Sequence, residues 1–309
     1  MRLTHARLAA LCLAFSLLLA GCSLPSLAAP AASATPDPTA TDRPTDTATP
    51  TVTPSPTATF TPTETATPTW AVSGPGTIVC PILLYHHVAP APENATSAAK
   101  IYYVPADEFE AELKALHDWG YQTISTLQLQ QAILSGAALP EHSLIISFDD
   151  GNLDIYQNAF PLMQKYGFTG VVYIIADTLQ SAGYMNADQL KTLAAAGWEI
   201  GSHSLTHHDL RADPSVLQAE IAGSRQTLEQ AVGVQVRSFA YPYGLTDAGV
   251  TRRVEQDGYL TGMGLGGGWN QGLYDLYYLG RRPVLAGIGL ATFAAYLPYS
   301  GLATPTATP

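Results

Sequence analysis

Basic residues are scarce in this 309-residue sequence: 14 lysines and arginines stand against 25 aspartates and glutamates, which gives a formal net charge of −11. Nucleic acids and anionic membrane surfaces attract positive protein surfaces, so this balance argues against both as partners. A long hydrophobic run is missing as well. The apolar stretch at residues 8–20 is too short to cross a bilayer comfortably, because a spanning helix needs about 20 apolar residues.

This apolar stretch follows Arg2 and Arg7, which is the layout of an export signal. It ends in Leu-Ala-Gly-Cys at positions 19–22, which resembles the end of a bacterial lipoprotein signal. The resemblance implies that Cys22 carries a lipid and becomes the new N-terminus, so that a membrane is a partner through this anchor. An ordinary export signal with a chance cysteine is the alternative. We expect a signal at residues 1–22 and an exported, extracytoplasmic, membrane-anchored protein.

Cysteines are too few for a disulfide framework, since the sequence has three. Cys12 would leave with the signal and Cys22 would carry the lipid, which leaves Cys80 without a partner. We therefore expect Cys80 to be a small buried residue on a strand.

Large apolar side chains are almost absent from residues 30–69, where Thr, Pro, Ala and Ser dominate. Such a segment buries too little surface to offset its chain entropy. We expect a disordered Thr/Pro-rich linker at residues 23–75, one folded domain at residues 76–300 and a disordered tail at residues 301–309.

Within the folded part, strand and helix patterns alternate about seven times, which is typical of a parallel barrel or a doubly wound sheet. No GxGxxG motif opens a helix, and polar residues recur at the ends of many strands rather than at one switch point. Both observations favour the barrel.

The most informative chemical pattern combines two strand ends. Residues 143–151, SLIISFDDG, place Asp149 and Asp150 directly after a buried strand, and WEIGSHSLTHHDL leads a second strand into His203 and His207. Histidines four residues apart can reach one ion from a single helical turn, and a carboxylate beside two imidazoles is a common ligand set for a divalent cation. The other carboxylate is then free to act as a base.

These motifs resemble those of the polysaccharide deacetylases, the metal-dependent carbohydrate esterases of family 4 that share the NodB-homology domain, over nearly all of residues 80–290. SFDDG is similar to the family's first motif, and HSLTH is similar to its second. The resemblance implies an α/β fold with a distorted (β/α)7 barrel. It also implies that Asp149 is the catalytic base and that Asp150, His203 and His207 hold the metal. The ligand set suggests zinc, with nickel or cobalt as alternatives.

The third motif departs from the family pattern. Family members often have an arginine two residues before a Pro-Tyr pair, where it orients the base, but residues 239–244 read FAYPYG with Ala240 at that place. Pro242 and Tyr243 are retained. We expect the Tyr243 backbone N–H to help hold the tetrahedral oxyanion.

The guanidinium must therefore come from another part of the chain or be absent. Arg281 and Arg282, just after the last strand, are the candidates for a salt bridge that orients Asp149. Many members supply a general acid from a C-terminal histidine, but this sequence has no histidine after the HSLTHH stretch. The ILLYHH segment resembles a subgroup acting on poly-N-acetylglucosamine, which implies that His86 is the acid, with His87 as the second choice.

Aromatic residues near these motifs are candidates for sugar contacts. Trp269 lies in a glycine-rich loop, and Tyr241 precedes the Pro242 and Tyr243 pair, which we also expect to contact the substrate. For Trp269 and Tyr241, a packing role in the core is the alternative.

The resemblance implies an N-deacetylase acting on acetylated polysaccharide, with poly-β-1,6-N-acetylglucosamine, chitin-like oligomers or peptidoglycan strands as candidate substrates. A non-catalytic glycan-binding lipoprotein on the same fold is the alternative. A glycosidase fits less well, because adjacent carboxylates do not naturally flank one glycosidic bond.

Overall fold

The computed structural model describes residues 75–301. The predicted signal, Cys22, most of the linker and the end of the tail lie outside this range. The strands are β1 Ile78–Val79, β2 Ile82–Tyr85, β3 His87–Val88, β4 Tyr103–Val104, β5 Gln122–Thr123, β6 Ser143–Phe148, β7 Val171–Ile174, β8 Glu199–Ser202, β9 Ser238–Ala240, β10 Thr261–Met263, β11 Asn270–Gln271 and β12 Arg282–Pro283. The α-helices are α1 Ser97–Lys100, α2 Ala106–Asp118, α3 Thr126–Ser135, α4 Phe160–Lys165, α5 Ala187–Ala195, α6 Ser224–Val232, α7 Ala248–Gln256 and α8 Gly289–Ala294.

The main sheet is parallel, and its principal strands follow the order β10, β9, β8, β7, β6, β2, β12. β6 lies near the middle of this order, and all six of its residues are buried. Its continuous apolar character suits a strand that is covered on both faces. β5 extends the sheet by pairing with the beginning of β6.

The two edges of this curled sheet meet at a seam near the end of the chain. Leu279 forms a parallel bridge with Met263 of β10, and shortly afterwards Arg282 of β12 pairs with Leu83 of β2. The stretch at residues 279–283 therefore leads from one edge of the sheet to the other. This arrangement confirms the prediction of a distorted barrel rather than a doubly wound sheet.

Two of the helices around the sheet begin at polar caps that satisfy several backbone N–H groups. Ser125 accepts a hydrogen bond from the backbone N–H of Gln128 at the start of α3, and Asn186 accepts two at the start of α5. Between β6 and β7 the helical connection is divided into a π-helical segment at Ile155–Ala159 and α4, with Pro161 in the first turn of α4. α4 continues directly from the π-helical segment, so Pro161 removes a backbone N–H at the junction between the two.

The hydrophobic core fills the barrel and the space between the sheet and its helices. Phe148, at the end of β6, stacks on Trp198 with ring centroids 5.5 Å apart, and both side chains are buried. Cys80 is free and fully buried, as expected, but it lies between β1 and β2 rather than on a strand. This packing fixes the strand ends, and β2, β6 and β8 all direct their C-terminal ends to the same side. No helix of residues 75–301 is both long and apolar enough to span a bilayer.

Candidate active site

The turn after β6 separates the two adjacent carboxylates. The Asp149 N–H donates to the carbonyl of Tyr85 on neighbouring β2 at 3.0 Å, which continues the sheet pairing by one residue. Asp150 then adopts φ 72° and Gly151 adopts φ 83°. Aspartate tolerates this left-handed conformation better than most residues. A Cβ at Gly151 would stand 3.0 Å from the Cδ1 atom of Ile174, so both space and backbone conformation favour glycine.

Asp149 is buried and forms a two-pronged ion pair with Arg281. Its two carboxylate oxygens lie 2.7 and 2.8 Å from the two terminal nitrogens of the guanidinium. The Arg281 Nε–H donates to the Gly264 carbonyl at 3.0 Å, which fixes the direction of the fork. Burial raises the pKa of Asp149, but the charge of Arg281 and its hydrogen bonds to the carboxylate outweigh burial and lower the pKa to about 2.

Of the two arginines predicted to contact Asp149, only Arg281 does so. The guanidinium of Arg282 lies over the ring of Tyr296, 5.0 Å from its centroid. Successive side chains of an extended segment point to opposite faces, so adjacent arginines cannot both point into the barrel. The prediction for Arg282 is wrong for this reason.

His203 follows β8 and is held in one orientation. Its Nδ1 lies 2.8 Å from the backbone carbonyl of Ala240, and the side chain is buried. A carbonyl only accepts hydrogen bonds, so Nδ1 carries a proton and donates it to Ala240. The Nε2 lone pair is then directed into the site in neutral histidine, which is the form that binds a metal.

His207 reaches the same point from a loop, not from the helical turn that the spacing suggested. Ser204 and His207 have φ values of 66° and 64°, which no α-helix allows. The His207 N–H donates to the Ser204 hydroxyl at 2.9 Å and stabilises this conformation. The expectation of a helix was wrong, although the two rings do meet.

Glu220 holds the loop between the two histidines. Its carboxylate accepts hydrogen bonds from the N–H groups of Leu205 and Thr206, each at 3.0 Å, and from the Thr206 hydroxyl at 2.5 Å. Burial raises the pKa of Glu220, but these hydrogen bonds outweigh burial and lower it. The sequence interpretation missed this residue, because it lies in the next helical segment and carries no motif of its own.

Asp150, His203 and His207 form a candidate metal centre. The His203 and His207 Nε2 atoms are 3.2 Å apart and lie 3.6 and 3.7 Å from the Asp150 Oδ1 atom. Ligands at about 2.0–2.2 Å from one tetrahedral ion stand about 3.3–3.6 Å apart, so the spacing fits a first-row divalent cation. Two imidazoles and one carboxylate are also the donors that zinc accepts.

His86, which follows β2, lines the same cavity as these groups. Its ring contacts the Tyr102 ring edge-on, with centroids 4.8 Å apart. Burial lowers the pKa of His86, and the positive charge of Arg281 also lowers it, against the opposite influence of Asp149 and Asp150. His87, the second choice, lies outside this lining, and its Nδ1 is 2.7 Å from an oxygen of Asp154.

The cavity has a volume of about 360 Å³, and its walls are partly apolar. Leu84, Leu265 and Pro283 form this apolar part, and the rings of Tyr102 and Tyr243 stand at its rim. Tyr243 is 59% exposed and contacts the His207 ring with centroids 4.5 Å apart. The sequence did not single out Tyr102, because a tyrosine outside the two motifs carries no distinguishing pattern.

Three of the predicted sugar-contacting residues lie elsewhere. The Tyr241 side chain is fully buried and donates to the Tyr277 carbonyl, and Pro242 is also buried. The Trp269 carbonyl accepts from the Cys80 N–H at 2.7 Å, which places Trp269 near the N-terminal end of β2 and away from the cavity. Tyr241, directly after β9, packs in the core, and Pro242 is buried in the helical turn that follows.

Fold and site together define a class: a hydrolase built on a curled parallel α/β barrel, with a buried carboxylate beside a candidate metal centre at the C-terminal ends of its strands. The family model for polysaccharide deacetylase matches residues 136–262. The protein YxkH of Bacillus subtilis, named as a polysaccharide deacetylase, is 30% identical over 221 residues, 70% of this chain and 75% of that protein. The chain belongs to the polysaccharide deacetylase family and is a hydrolytic polysaccharide N-deacetylase.

Two further comparisons extend this result. The poly-β-1,6-N-acetyl-D-glucosamine N-deacetylase of Staphylococcus epidermidis is 27% identical over 189 residues, which cover 56% of this chain and 64% of that enzyme. The structure of the Streptococcus pyogenes deacetylase PplD in complex with acetate superposes with a TM-score of 0.67 at 23% identity, covering 71% of this chain and 98% of that chain. At this identity the structural likeness concerns the fold.

Proposed function

We propose that this protein is a metal-dependent enzyme that removes acetyl groups from the N-acetylglucosamine units of a polysaccharide. One observation carries the proposal: a single cavity brings together the Asp149–Arg281 pair, the Asp150–His203–His207 centre and His86. An amide is hydrolysed when one group takes a proton from water, a second stabilises the oxyanion, and a third gives a proton to the leaving amine. Each of these groups has a candidate in this cavity.

Asp149 is the proposed base. Its low pKa keeps it ionised at neutral pH, and its bidentate contact with Arg281 prevents rotation of the carboxylate. A divalent cation held by Asp150, His203 and His207 would acidify water and polarise the acetyl carbonyl. Asp149, a weak base, would then suffice, because the cation would have made the water proton that it accepts more acidic.

His86 is the proposed acid. Asp149 and His86 line the same cavity, so an amide bound there can receive a proton from His86 while water is deprotonated by Asp149. The Tyr243 backbone N–H is the proposed additional donor to the oxyanion, and the apolar wall at Leu84, Leu265 and Pro283 suits the acetyl methyl group.

Zinc is the proposed metal, because the donors are two imidazoles and one carboxylate at tetrahedral spacing. Nickel and cobalt accept the same donors. Poly-β-1,6-N-acetylglucosamine is the proposed substrate, supported by the staphylococcal relatives that are named for it. We also propose that the protein is exported and anchored to the membrane through a lipid on Cys22, for which the sequence signal is the support.

Acetate release tests the proposal directly. The purified protein is incubated with poly-β-1,6-N-acetylglucosamine, chitin oligomers and peptidoglycan, with and without a chelator, and free acetate is measured. We expect release from the first polymer, loss of release with chelator, and recovery when zinc is restored. Binding of glycan without any acetate release would instead support the non-catalytic alternative.

The role of His86 as the acid is tested by a single variant. His86→Ala should lower kcat by about 100-fold, the middle of the usual range for a general acid, with little effect on zinc affinity. Unchanged turnover in this variant would exclude His86 as the acid. His142→Ala is the matched control, because His142 bonds to the Trp119 carbonyl and lies outside the cavity.

A further inference from the structure

His86 is followed by a short segment whose backbone is held by side chains. The Asn152 amide donates to the His86 carbonyl at 2.9 Å, and the Asn158 amide donates to the Val88 carbonyl at 2.7 Å. One Asp154 oxygen accepts from the Val88 N–H at 2.8 Å, and the other lies 2.7 Å from the His87 Nδ1. These four contacts come from three side chains, Asn152, Asp154 and Asn158, which we call the clamp.

The clamp residues follow Asp149 and Asp150 directly along the chain. Asn152 lies in the turn after the carboxylates, Asp154 directly precedes the π-helical segment, and Asn158 lies near the end of that segment. Most residues of a strand end are placed by their sheet neighbours. Here one continuous stretch carries both carboxylates and also forms hydrogen bonds to the backbone at both ends of the His86–Val88 segment.

The clamp is partly shielded from water, which strengthens its contacts. Asn152 is 6% exposed, and the His87 and Asp154 side chains are each 19% exposed. The His87 ring also lies flat on the Tyr103 ring, with centroids 3.8 Å apart and planes at 5°. Hydrogen bonds to a charged acceptor in such surroundings are shorter and stronger than exposed ones.

We infer that the clamp positions His86 relative to the carboxylates and that Asp154 is its principal positioning residue. This inference rests on the proposed role of His86 as general acid. Asp154 does not line the cavity, so it acts on the reaction through the segment that carries His86. A misplacement of about 1 Å can cost about 100-fold in rate, so this grip is sufficient to control turnover.

A double-mutant cycle between Asp154 and His86 tests the inference. Asp154→Ala should lower kcat by about 10- to 100-fold and leave KM within about 2-fold. If Asp154 acts through His86, the double variant His86→Ala/Asp154→Ala should be no slower than His86→Ala alone. Asp154→Asn, which keeps one acceptor oxygen and one group able to bond His87, should recover most of kcat.

Zinc titration and thermal unfolding accompany these rates, because the metal ligands are not part of the clamp. Zinc affinity should be unchanged in Asp154→Ala. Asp188→Ala, which removes an exposed carboxylate on α5, is the control and should leave kcat unaltered. Asn158→Ala removes a single contact of the clamp and should lower kcat in the same direction even if Asp154→Ala fails to fold.

The possible outcomes separate the two ideas. If His86→Ala keeps full turnover, the proposed acid is wrong, and the purpose of the clamp is wrong with it. If His86→Ala is slow but the Asp154→Ala defect multiplies with it, the acid stands and the inference about the clamp is overturned. A folded Asn158→Ala or Asp154→Ala with wild-type kcat would also overturn the inference.

Discussion

Replacement of Arg281 by methionine is the sharpest perturbation of the site. Arg281 is 1% exposed and pairs both of its terminal nitrogens with the buried carboxylate of Asp149. Methionine keeps much of the volume but leaves Asp149 buried without a counter-charge. Removing one partner of a buried ion pair costs about 3–5 kcal/mol of unfolding free energy. We expect a loss in this range in urea unfolding of the metal-free protein.

The same change should alter the pH dependence of turnover. Arg281 is the main influence that lowers the pKa of Asp149, and burial opposes it. Without the guanidinium the pKa of Asp149 rises, so the base becomes protonated at a higher pH. The acidic limb of the kcat profile should therefore move to higher pH, with a lower maximum because the carboxylate is free to rotate.

Two further variants serve as controls for Arg281→Met. Arg282→Met changes the adjacent arginine, whose guanidinium lies over Tyr296, and should leave the acidic limb in place. The double variant Asp149→Asn/Arg281→Met removes both buried charges and should regain most of the lost stability. An Arg281→Met protein with less than about 1 kcal/mol of destabilisation, and with an unmoved acidic limb, would refute the reasoning.

Two further predictions concern α2 and the metal centre. Glu112 is buried against the Tyr85 hydroxyl, and burial raises its pKa from 4.5 to about 8, so the folded protein holds a proton that the unfolded chain releases. Stability therefore falls as pH rises from about 4.5 toward 8, and Glu112→Gln should flatten this decline in melting curves while the exposed Glu93→Gln does not. His207→Ala should weaken zinc binding by more than about 100-fold in a competition titration, since loss of a supporting contact alone costs about 10- to 100-fold. The neighbouring His208→Ala is the control, and equal zinc affinities in the two variants would contradict the ligand assignment.

The pattern of strands and the two motifs predicted most of the architecture. A buried strand followed by adjacent carboxylates, and a second strand followed by two histidines, place these groups at one end of a parallel barrel whatever the details of the loops. The structure brings Asp149, Asp150, His203 and His207 together at that end.

The remaining parts depended on contacts between distant segments. The choice between Arg281 and Arg282 required the register of the strand pairing at the seam. A shift of one residue in this register would exchange the faces to which the two side chains point. The spacing of His203 and His207 suggested a helix, but the positive φ angles of the loop depend on the carboxylate of Glu220, which no local pattern announces. Trp269 was misjudged because composition alone does not reveal which end of a barrel a loop covers.

The seam at residues 279–283 has a consequence for how this enzyme matures. This stretch joins the two edges of the curled sheet and also delivers the guanidinium that neutralises Asp149. All the other proposed catalytic and metal-binding side chains precede this stretch in the sequence, so they are synthesised before Arg281. A nascent or proteolytically shortened chain that ends ahead of the seam would possess both motifs. Its barrel would remain open, and Asp149 would have no arginine partner. The closure of the barrel and the completion of the active site therefore both depend on the addition of this last stretch.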